Sequence, residues 1–122
     1  GMTQRAEEMA SRLRNGAKDI LAQLEIPATV YGVASVFYLI FGVSGEIDED
    51  GICTVPHDVI RNAADPEVYR LAKVAFLNEG LDFMRHRAIF GMVSAAHTPD
   101  DIDQALVGFE KGLTVLQNNG LV

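Results

Sequence analysis

The stretch ATVYGVASVFYLIFG, residues 28–42, decides the fold of this chain. It is rich in Val, Tyr, Phe and Ile, the residues that fit a pleated sheet surface. Gly32 and Ser35 interrupt it and indicate a break or bulge between two strand pieces. The second piece, Val36 to Phe41, is apolar at every position, which is typical of a central strand covered on both faces. The stretch therefore predicts one strand near Tyr31 and a central strand at 36–41.

Amphipathic helices are predicted on both sides of these strands. From about Thr3 to Leu24, apolar residues recur with helical spacing, and Pro27 prevents the helix from continuing. Further along the chain, Asp65 and Pro66 form a good N-cap and first-turn pair, and Gly80 is the expected stop. The core-facing positions of this second helix are predicted to be Val68, Leu71, Ala72, Ala75 and Leu77.

The clearest helix start in the chain is Thr98-Pro99-Asp100-Asp101. The Thr98 hydroxyl can accept hydrogen bonds from first-turn amides, and Pro99 has the backbone angle that the first helical position requires. The two aspartates complement the helix dipole. We therefore predict a structural cap formed by His97, Thr98 and Asp101, with His97 bonded to the loop backbone, at the start of a long last helix.

Two short strands are predicted before that helix, at Leu81–Met84 and Phe90–Ser94. The element order favours an α+β fold, with helices packed on one face of a small, largely antiparallel sheet. The acidic stretch 44–52 is expected to be an exposed loop, and one short helical turn is expected after Pro56. With 122 residues and no internal repeat, the chain is predicted to be a single domain over residues 1–122.

Composition limits the kinds of molecule that the chain is expected to bind and the compartment in which it is expected. The formal net charge of −7 disfavours binding to the phosphate backbone of nucleic acid. No segment has the ~18–20 apolar residues that a membrane span requires. Cys53 is the single cysteine, which excludes an internal disulfide and favours a reducing, cytoplasmic location.

No complete active site is predicted from the residues that usually carry chemistry. The three histidines, His57, His86 and His97, lack the spacing of metal ligands. A hydrolase arrangement of Ser94, His97 and Asp100 is conceivable, although such short spacing usually reflects local capping. A Schiff-base lysine needs a desolvated pocket. The lysines of this chain fall on the polar faces of predicted helices instead: Lys18, Lys73 and Lys111.

Arg85 and Arg87 form the most suggestive pair of charged residues. They alternate along an extended segment, so both side chains are expected on the same side of it. A guanidinium at a strand end is suited to hold a carboxylate through two parallel hydrogen bonds. The alternative is that both arginines are surface residues that solubilise a sheet edge.

Three segments resemble class III aminotransferases of the glutamate-1-semialdehyde aminomutase type. Residues 81–103 carry Ser94-Ala95-Ala96-His97-Thr98-Pro99-Asp100-Asp101-Ile102-Asp103, similar to the C-terminal signature of that family. Residues 10–21 resemble a helix of pattern Ala-x-x-Leu-Arg-x-Gly. Residues 32–37 are similar to the Gly-x-x-Ser-x-Phe of the strand that follows. The resemblance covers nearly the whole chain.

The resemblance implies the C-terminal small domain of a fold-type I, PLP-dependent enzyme that is cytoplasmic and homodimeric. Such a domain forms one wall of the substrate cleft, with Ser35, Arg85 and Arg87 as candidate substrate-binding residues. The family's Schiff-base lysine and phosphate-binding groups belong to its large domain. This chain alone is therefore expected to bind no PLP and to be inactive, with the large domain as its missing partner.

Two alternatives stay open beside that expectation. The aminomutases carry Glu where this chain has Ile89, so a related aminotransferase acting on another amino or keto acid is comparably well supported. The chain is alternatively a free-standing small-domain protein with a binding or dimerisation role. A domain without its large partner exposes apolar surface, so we expect a homo-oligomer, with apolar residues of the first helix as one contact.

Overall fold

The chain folds as three helices and four strands within the part that the computed structural model describes, residues 1–32, 34–42, 65–85, 89–92 and 97–122. The elements run in the order α1 (Met2–Leu24), β1 (Ala28–Tyr31), β2 (Val36–Phe41), α2 (Pro66–Asn78), β3 (Met84–Arg85), β4 (Ile89–Met92) and α3 (Pro99–Asn118). The expected exposed loop at 44–52, the expected turn after Pro56, and Cys53 lie outside the described residues. No helix among those described is long and apolar enough to cross a membrane.

All strand pairs of the sheet are antiparallel, in the order β1-β2-β4-β3. Tyr31 pairs with Tyr38 between β1 and β2, and Leu39 pairs with Ile89 between β2 and β4. Arg85 pairs with Ile89 on the other side of β4, so β3 and β1 are the edge strands of the described sheet. The predicted α+β class and antiparallel sheet are confirmed, with β2 inside the sheet as expected.

The prediction that β2 is covered on both faces is correct only for its second half. Leu39, Ile40 and Phe41 are buried, whereas Val36 and Tyr38 are half-buried. Tyr38 stacks on Tyr31 with ring centroids 5.0 Å apart, on the face opposite the helices. An apolar run thus marked an interior strand, but it did not show how completely each face is covered.

The two later strands differ from the prediction in where they start. Residues 81–83 are not in a strand, and β3 is Met84–Arg85. The last strand starts one residue earlier than expected, at Ile89, and its described part ends at Met92. Strand limits depend on the partner strand that supplies hydrogen bonds, which a single segment does not specify.

The helix ends follow local capping rules. Glu25, in the left-handed region at φ 56°, ends α1, and the Ile26 N–H donates to the Leu21 carbonyl at 3.0 Å, so the helix closes before Pro27. Asp65 caps α2 by accepting from the Glu67 N–H at 2.9 Å. Gly80, at φ 82°, follows the end of α2.

One predicted core position of α2 is wrong. The Leu77 side chain is 52% exposed, whereas Tyr69 and Phe76 are buried beside Ala72 and Ala75. Positions 69, 72 and 76 share one face of the helix, and Leu77 lies one residue, about 100°, around from it. The phase of the buried stripe is set by the elements packed against α2.

Aromatic rings join the helices to the sheet. Phe109 of α3 stacks on Phe76 of α2 at 5.2 Å and meets Phe37 of β2 edge-on at 6.0 Å between ring centroids. Phe83 stacks on Phe37 at 5.5 Å and meets Phe76 edge-on at 5.5 Å. These four rings form the centre of the core, on the helix-covered face of the sheet.

Glycines allow the helices to approach closely. Gly16 of α1 lies against the end of the Leu106 side chain, and Gly112 of α3 lies against the Phe76 ring. Gly16 therefore has a packing role besides its weakening effect on helix propensity.

The expected contact surface on the first helix is wrong. Its apolar residues are buried inside the domain, among them Ala10, Leu13 and Ala17. Among the described residues, the exposed large apolar side chains lie on α2 and α3: Val74, Leu77, Val107 and Val115. The amphipathic stripe of α1 was covered by α3 and the sheet, so it is not left for a partner.

Candidate functional site

The connection between β1 and β2 has two residues with unusual backbone angles. Gly32 has φ 150°, and a β-carbon there would collide with the Val36 carbonyl oxygen. Ala34 is in the left-handed region at φ 52°, which costs a residue with a β-carbon about 1–2 kcal/mol. Ser35 follows, half-buried, immediately before β2. This turn therefore requires glycine at one position and holds a strained residue at another.

Arg14 of α1 reaches across to this turn. Its Nη1 donates to the Ala34 carbonyl at 3.1 Å and to the Val36 carbonyl at 2.7 Å. The two carbonyls belong to the residues on either side of Ser35. Partial burial of the guanidinium lowers the pKa of Arg14 by desolvation, although an arginine remains charged at any ordinary pH.

The structure gives a physical meaning to two of the motifs found in the sequence. In the Ala-x-x-Leu-Arg-x-Gly segment, Ala10 and Leu13 enter the core, Arg14 binds the turn, and Gly16 packs on Leu106. The Gly-x-x-Ser-x-Phe segment supplies the turn itself. The role of Arg14 was missed from the sequence, although its place in the motif was the available signal.

A reciprocal cap forms the second polar cluster, at the start of α3. The Thr98 hydroxyl accepts from the Asp101 N–H at 3.1 Å, and the Asp101 carboxylate accepts from the Thr98 N–H at 2.8 Å. The hydrogen bond from the Thr98 N–H is the main cause of a lowered Asp101 pKa. His97 is half-buried and lines a groove with Leu13 and Phe83.

Thr98→Ala is expected to lower the free energy of unfolding by about 1 kcal/mol, because the Asp101 N–H loses its acceptor. Chemical denaturation of the two proteins measures the difference. Thr98→Ser, which keeps the hydroxyl, is the matched control and should stay close to wild type. Equal midpoints for Thr98→Ala and wild type would show that the hydroxyl does not stabilise the helix.

An ion pair between Arg12 and Asp103 joins α1 to α3 beside this cap. Arg12 Nε and Nη2 donate to the two Asp103 carboxylate oxygens at 3.0 and 2.9 Å, and both side chains are about half exposed. The hydrogen bond from Arg12 is the main cause of a lowered Asp103 pKa. Asp103 belongs to the Asp-Ile-Asp of the C-terminal signature, and the structure assigns it a contact between helices.

Acid is expected to destabilise the fold through Asp101 and Asp103. Both pKa values lie below those of the unfolded chain, so the stabilisation is complete above about pH 4 and disappears as the pH falls through the lowered values. Denaturation midpoints between pH 7 and pH 2 measure this loss.

The Asp103→Asn variant separates the ion pair from the cap. It should show a smaller loss of stability between pH 7 and pH 2 than wild type, and Arg12→Ala should have the same effect. Combining the two changes should add nothing further, because both remove one interaction. An identical acid response in Asp103→Asn and wild type would contradict the assignment.

The structure does not bring the candidate substrate-binding residues together in the described part of the chain. The backbone of Arg85 lies on the edge strand β3, level with Leu39 of β2 through their common partner Ile89. Ser35 lies four positions before Leu39, roughly 13 Å along the strand direction, and two inter-strand spacings away. Arg87, His57, His86 and Ser94 lie outside the described residues.

No protein-family model matches the chain. Curated relatives do: glutamate-1-semialdehyde 2,1-aminomutase of Pyrobaculum islandicum is 28% identical over 113 residues, which are 93% of this chain and 24% of the relative. The enzyme of the same name from Natronomonas pharaonis is 24% identical and matches 87% of this chain. The chain is a relative of one quarter of these aminomutases. The resemblance inferred from the sequence motifs is therefore confirmed.

Solved structures share the fold. A glutamate-1-semialdehyde aminomutase from Pseudomonas aeruginosa PAO1 superimposes with a TM-score of 0.74 at 15% identity, over 94% of this chain and 23% of that protein. A transaminase with PLP bound gives 0.71 at 15% identity, over 98% of this chain and 24% of that protein. The domain thus has the architecture of a segment of these larger PLP enzymes.

The lysines of this chain are placed differently from a lysine that holds PLP. The cofactor is held in such enzymes by a lysine that forms a Schiff base in a desolvated pocket. All three lysines lie in described helices: Lys18 and Lys111 are exposed, and Lys73 is half-buried on α2. None is enclosed, so none lies in the desolvated pocket that a Schiff-base lysine requires.

Proposed function

We propose that this chain forms the C-terminal small domain of a PLP-dependent aminotransferase or aminomutase, where it is one wall of the substrate cleft and has no activity by itself. The supporting observation is the combination of a match over 93% of the chain with only 24% of the relative's length. The lysines, none of which is enclosed, agree with this proposal, because the chemistry then belongs to the missing large domain.

The substrate class is an amino or keto acid. Ile89, which replaces the glutamate of the aminomutases, is fully buried in the core on the helix-covered side of the sheet. A carboxylate at this place would be desolvated among apolar side chains, so this position serves packing here. Ile89 therefore gives no reason to favour glutamate-1-semialdehyde over another amino acid as the substrate.

Titration with PLP tests the proposal. The isolated chain should give no aldimine absorbance and no transamination. The polypeptide that continues in frame upstream of the Met2 codon, with a Schiff-base lysine, should give both. Stoichiometric PLP capture by the isolated chain, abolished by changing one of Lys18, Lys73 or Lys111, would contradict the proposal.

In that longer enzyme, Arg85→Ala and Arg87→Ala are expected to raise the KM for the acid substrate about tenfold while PLP stays bound, because each removes a charge-assisted hydrogen bond to a carboxylate. Steady-state kinetics and the cofactor absorbance measure both quantities. Arg70→Ala is the matched control, because Arg70 pairs with Glu67 on the exposed surface of α2. Unchanged kinetics in both variants would assign the arginines to the surface.

A binding or dimerisation role is the second candidate. It is favoured by the apolar side chains that α2 and α3 expose, Val74, Leu77, Val107 and Val115. Sedimentation of the isolated chain measures self-association, which both candidates predict; a Schiff-base lysine in the polypeptide that continues in frame upstream is what distinguishes them. Self-association that Leu77→Ser together with Val115→Ser abolishes would place the contact on this surface, and a monomer at high concentration would count against both candidates.

A further inference from the structure

We propose that Arg14 is a positioning residue for the substrate cleft: by holding the carbonyls on both sides of Ser35, it fixes Ser35 to receive a polar group of an amino-acid substrate. This inference rests on the proposed function, since Ser35 is a candidate substrate-binding residue of the small domain. The inference adds Arg14 of α1, which lies outside the sheet, to the residues that shape the proposed substrate cleft.

The two hydrogen bonds of Arg14 converge on one point of the chain. A single nitrogen, Nη1, donates to Ala34 and Val36 at 3.1 and 2.7 Å, and the planar guanidinium holds its two hydrogens in a fixed spread. The residue between the two acceptors is Ser35. Its backbone is therefore restrained on both sides at once, which a flexible ammonium group does not reproduce.

The charged side chain of Arg14 is not needed to hold β1 and β2 together. The register pairs from Ala28 with Phe41 to Tyr31 with Tyr38 already join the two strands. Arg14 is partly desolvated, as its lowered pKa reflects, and its recorded partners in the described chain are neutral carbonyls. Arg12 and Arg70, by contrast, each bind a carboxylate at the exposed surface. The placement of Arg14 is thus specific to the geometry of the turn.

The turn also stores strain beside a polar group that a ligand can engage. Ala34 is in the left-handed region, and Gly32 admits no β-carbon. Strained backbone persists where the surroundings over-determine it, and it concentrates at ligand-binding sites. Within the described part of the chain, the half-buried Ser35 hydroxyl takes part in no recorded hydrogen bond.

The first test measures the turn in the 122-residue chain by NMR. In Arg14→Ala, amide hydrogens of residues 34–37 are expected to exchange about tenfold faster, and the Ala34 carbon shifts should lose the signature of a positive φ. Arg12→Ala, two residues away on the same helix, is the matched control and should leave these signals unchanged. If Arg14→Ala fails to fold, Arg14→Lys replaces it, since lysine keeps the charge without the fixed pair of donors. An unchanged turn overturns the proposal.

The second test is a double-mutant cycle in the enzyme that contains the large domain. The probe substrates are glutamate-1-semialdehyde and L-alanine with 2-oxoglutarate. Ser35→Ala and Arg14→Lys should each raise KM about tenfold, with PLP absorbance unchanged, and the double variant should equal Ser35→Ala alone. That result would show that Arg14 acts through Ser35, because a purely structural defect would add to the loss.

The outcomes separate this inference from the proposed function. Additive effects of the two substitutions, or a KM that Ser35→Ala does not change, overturn the positioning role while the domain assignment stands. A continuous polypeptide that binds no PLP overturns the proposed function, and the inference that rests on it falls with it. The NMR result stands in that case as a property of the fold alone.

Discussion

Phe109→Ala is expected to lower the free energy of unfolding by about 3–5 kcal/mol, the range for a large aromatic ring removed from a close-packed core. Phe109 is fully buried, and its ring contacts Phe76 of α2 and Phe37 of β2 at once. The cavity left by the ring would therefore lie between α2, α3 and β2. Chemical denaturation with the slope held common to both proteins measures the loss.

Val107→Ala is the control for that substitution. It lies two residues away on α3, its side chain is 55% exposed, and the change should stay within about 0.5 kcal/mol of wild type. A loss of less than about 2 kcal/mol in Phe109→Ala would mean that neighbouring side chains collapse into the space. The aromatic cluster would then not be the centre of the core.

Gly112→Ala should be destabilising by about 1–2 kcal/mol, against the usual preference of helices for alanine. The new β-carbon would lie 2.6 Å from Phe76 Cδ1, and that ring is confined by Phe83 and Phe109. Overpacking of a core typically costs about 1–3 kcal/mol, and a ring that cannot move away should put the cost at about 2–3 kcal/mol, which exceeds the gain of about 1 kcal/mol from helix propensity. Thermal or denaturant unfolding gives the sign directly.

Gly16→Ala is the matched change on α1. Its β-carbon would meet the end of the Leu106 side chain, which is half-buried and can rotate away. The cost of that movement and the gain in helix propensity should nearly cancel, leaving the variant within about 0.5 kcal/mol of wild type. If Gly112→Ala were as harmless as Gly16→Ala, the α2–α3 contact would be looser than the structure shows.

The candidate site contains one residue that the sequence could indicate, Ser35, and one that it could not, Arg14. Ser35 was selected because it stands in a family-like motif, but nothing near it in the chain indicates what holds its backbone. Arg14 supplies that restraint through side-chain hydrogen bonds to the carbonyls of Ala34 and Val36, which are 20 and 22 residues away. Such a contact leaves no periodicity or spacing in the sequence. It becomes visible only when α1 and the hairpin are packed together.

Arg85 and Arg87, the charged candidates for substrate binding, show a different limit of prediction from sequence. Alternation placed Arg85 and Arg87 on one side of an extended segment, and the backbone of Arg85 is indeed in a strand. The register of β3 on β4 then sets Arg85 far along the sheet from Ser35. A substrate contact by Arg85 would therefore involve a different part of the surface from the Ser35 turn.

Local chemistry in the sequence was sufficient to place the helix starts and the fold class. Asp65 before Pro66 and Thr98 before Pro99 begin their helices where predicted, because a cap satisfies backbone groups only a few residues away. The apolar run of β2 likewise predicted an interior strand of an antiparallel sheet. The family resemblance also came from the sequence, since its motifs are short and contiguous.

Tertiary structure alone decided which face of α2 is buried, why Gly112 is a glycine, and what Arg14 binds. Leu77 follows the helical pattern of its neighbours but is exposed, because α3 and the sheet cover the adjacent face. Gly112 and Arg14 owe their roles to a ring and a turn that are distant in sequence. Long-range packing selects one phase and one set of partners from many that the local pattern allows, and that selection is a property of the assembled core.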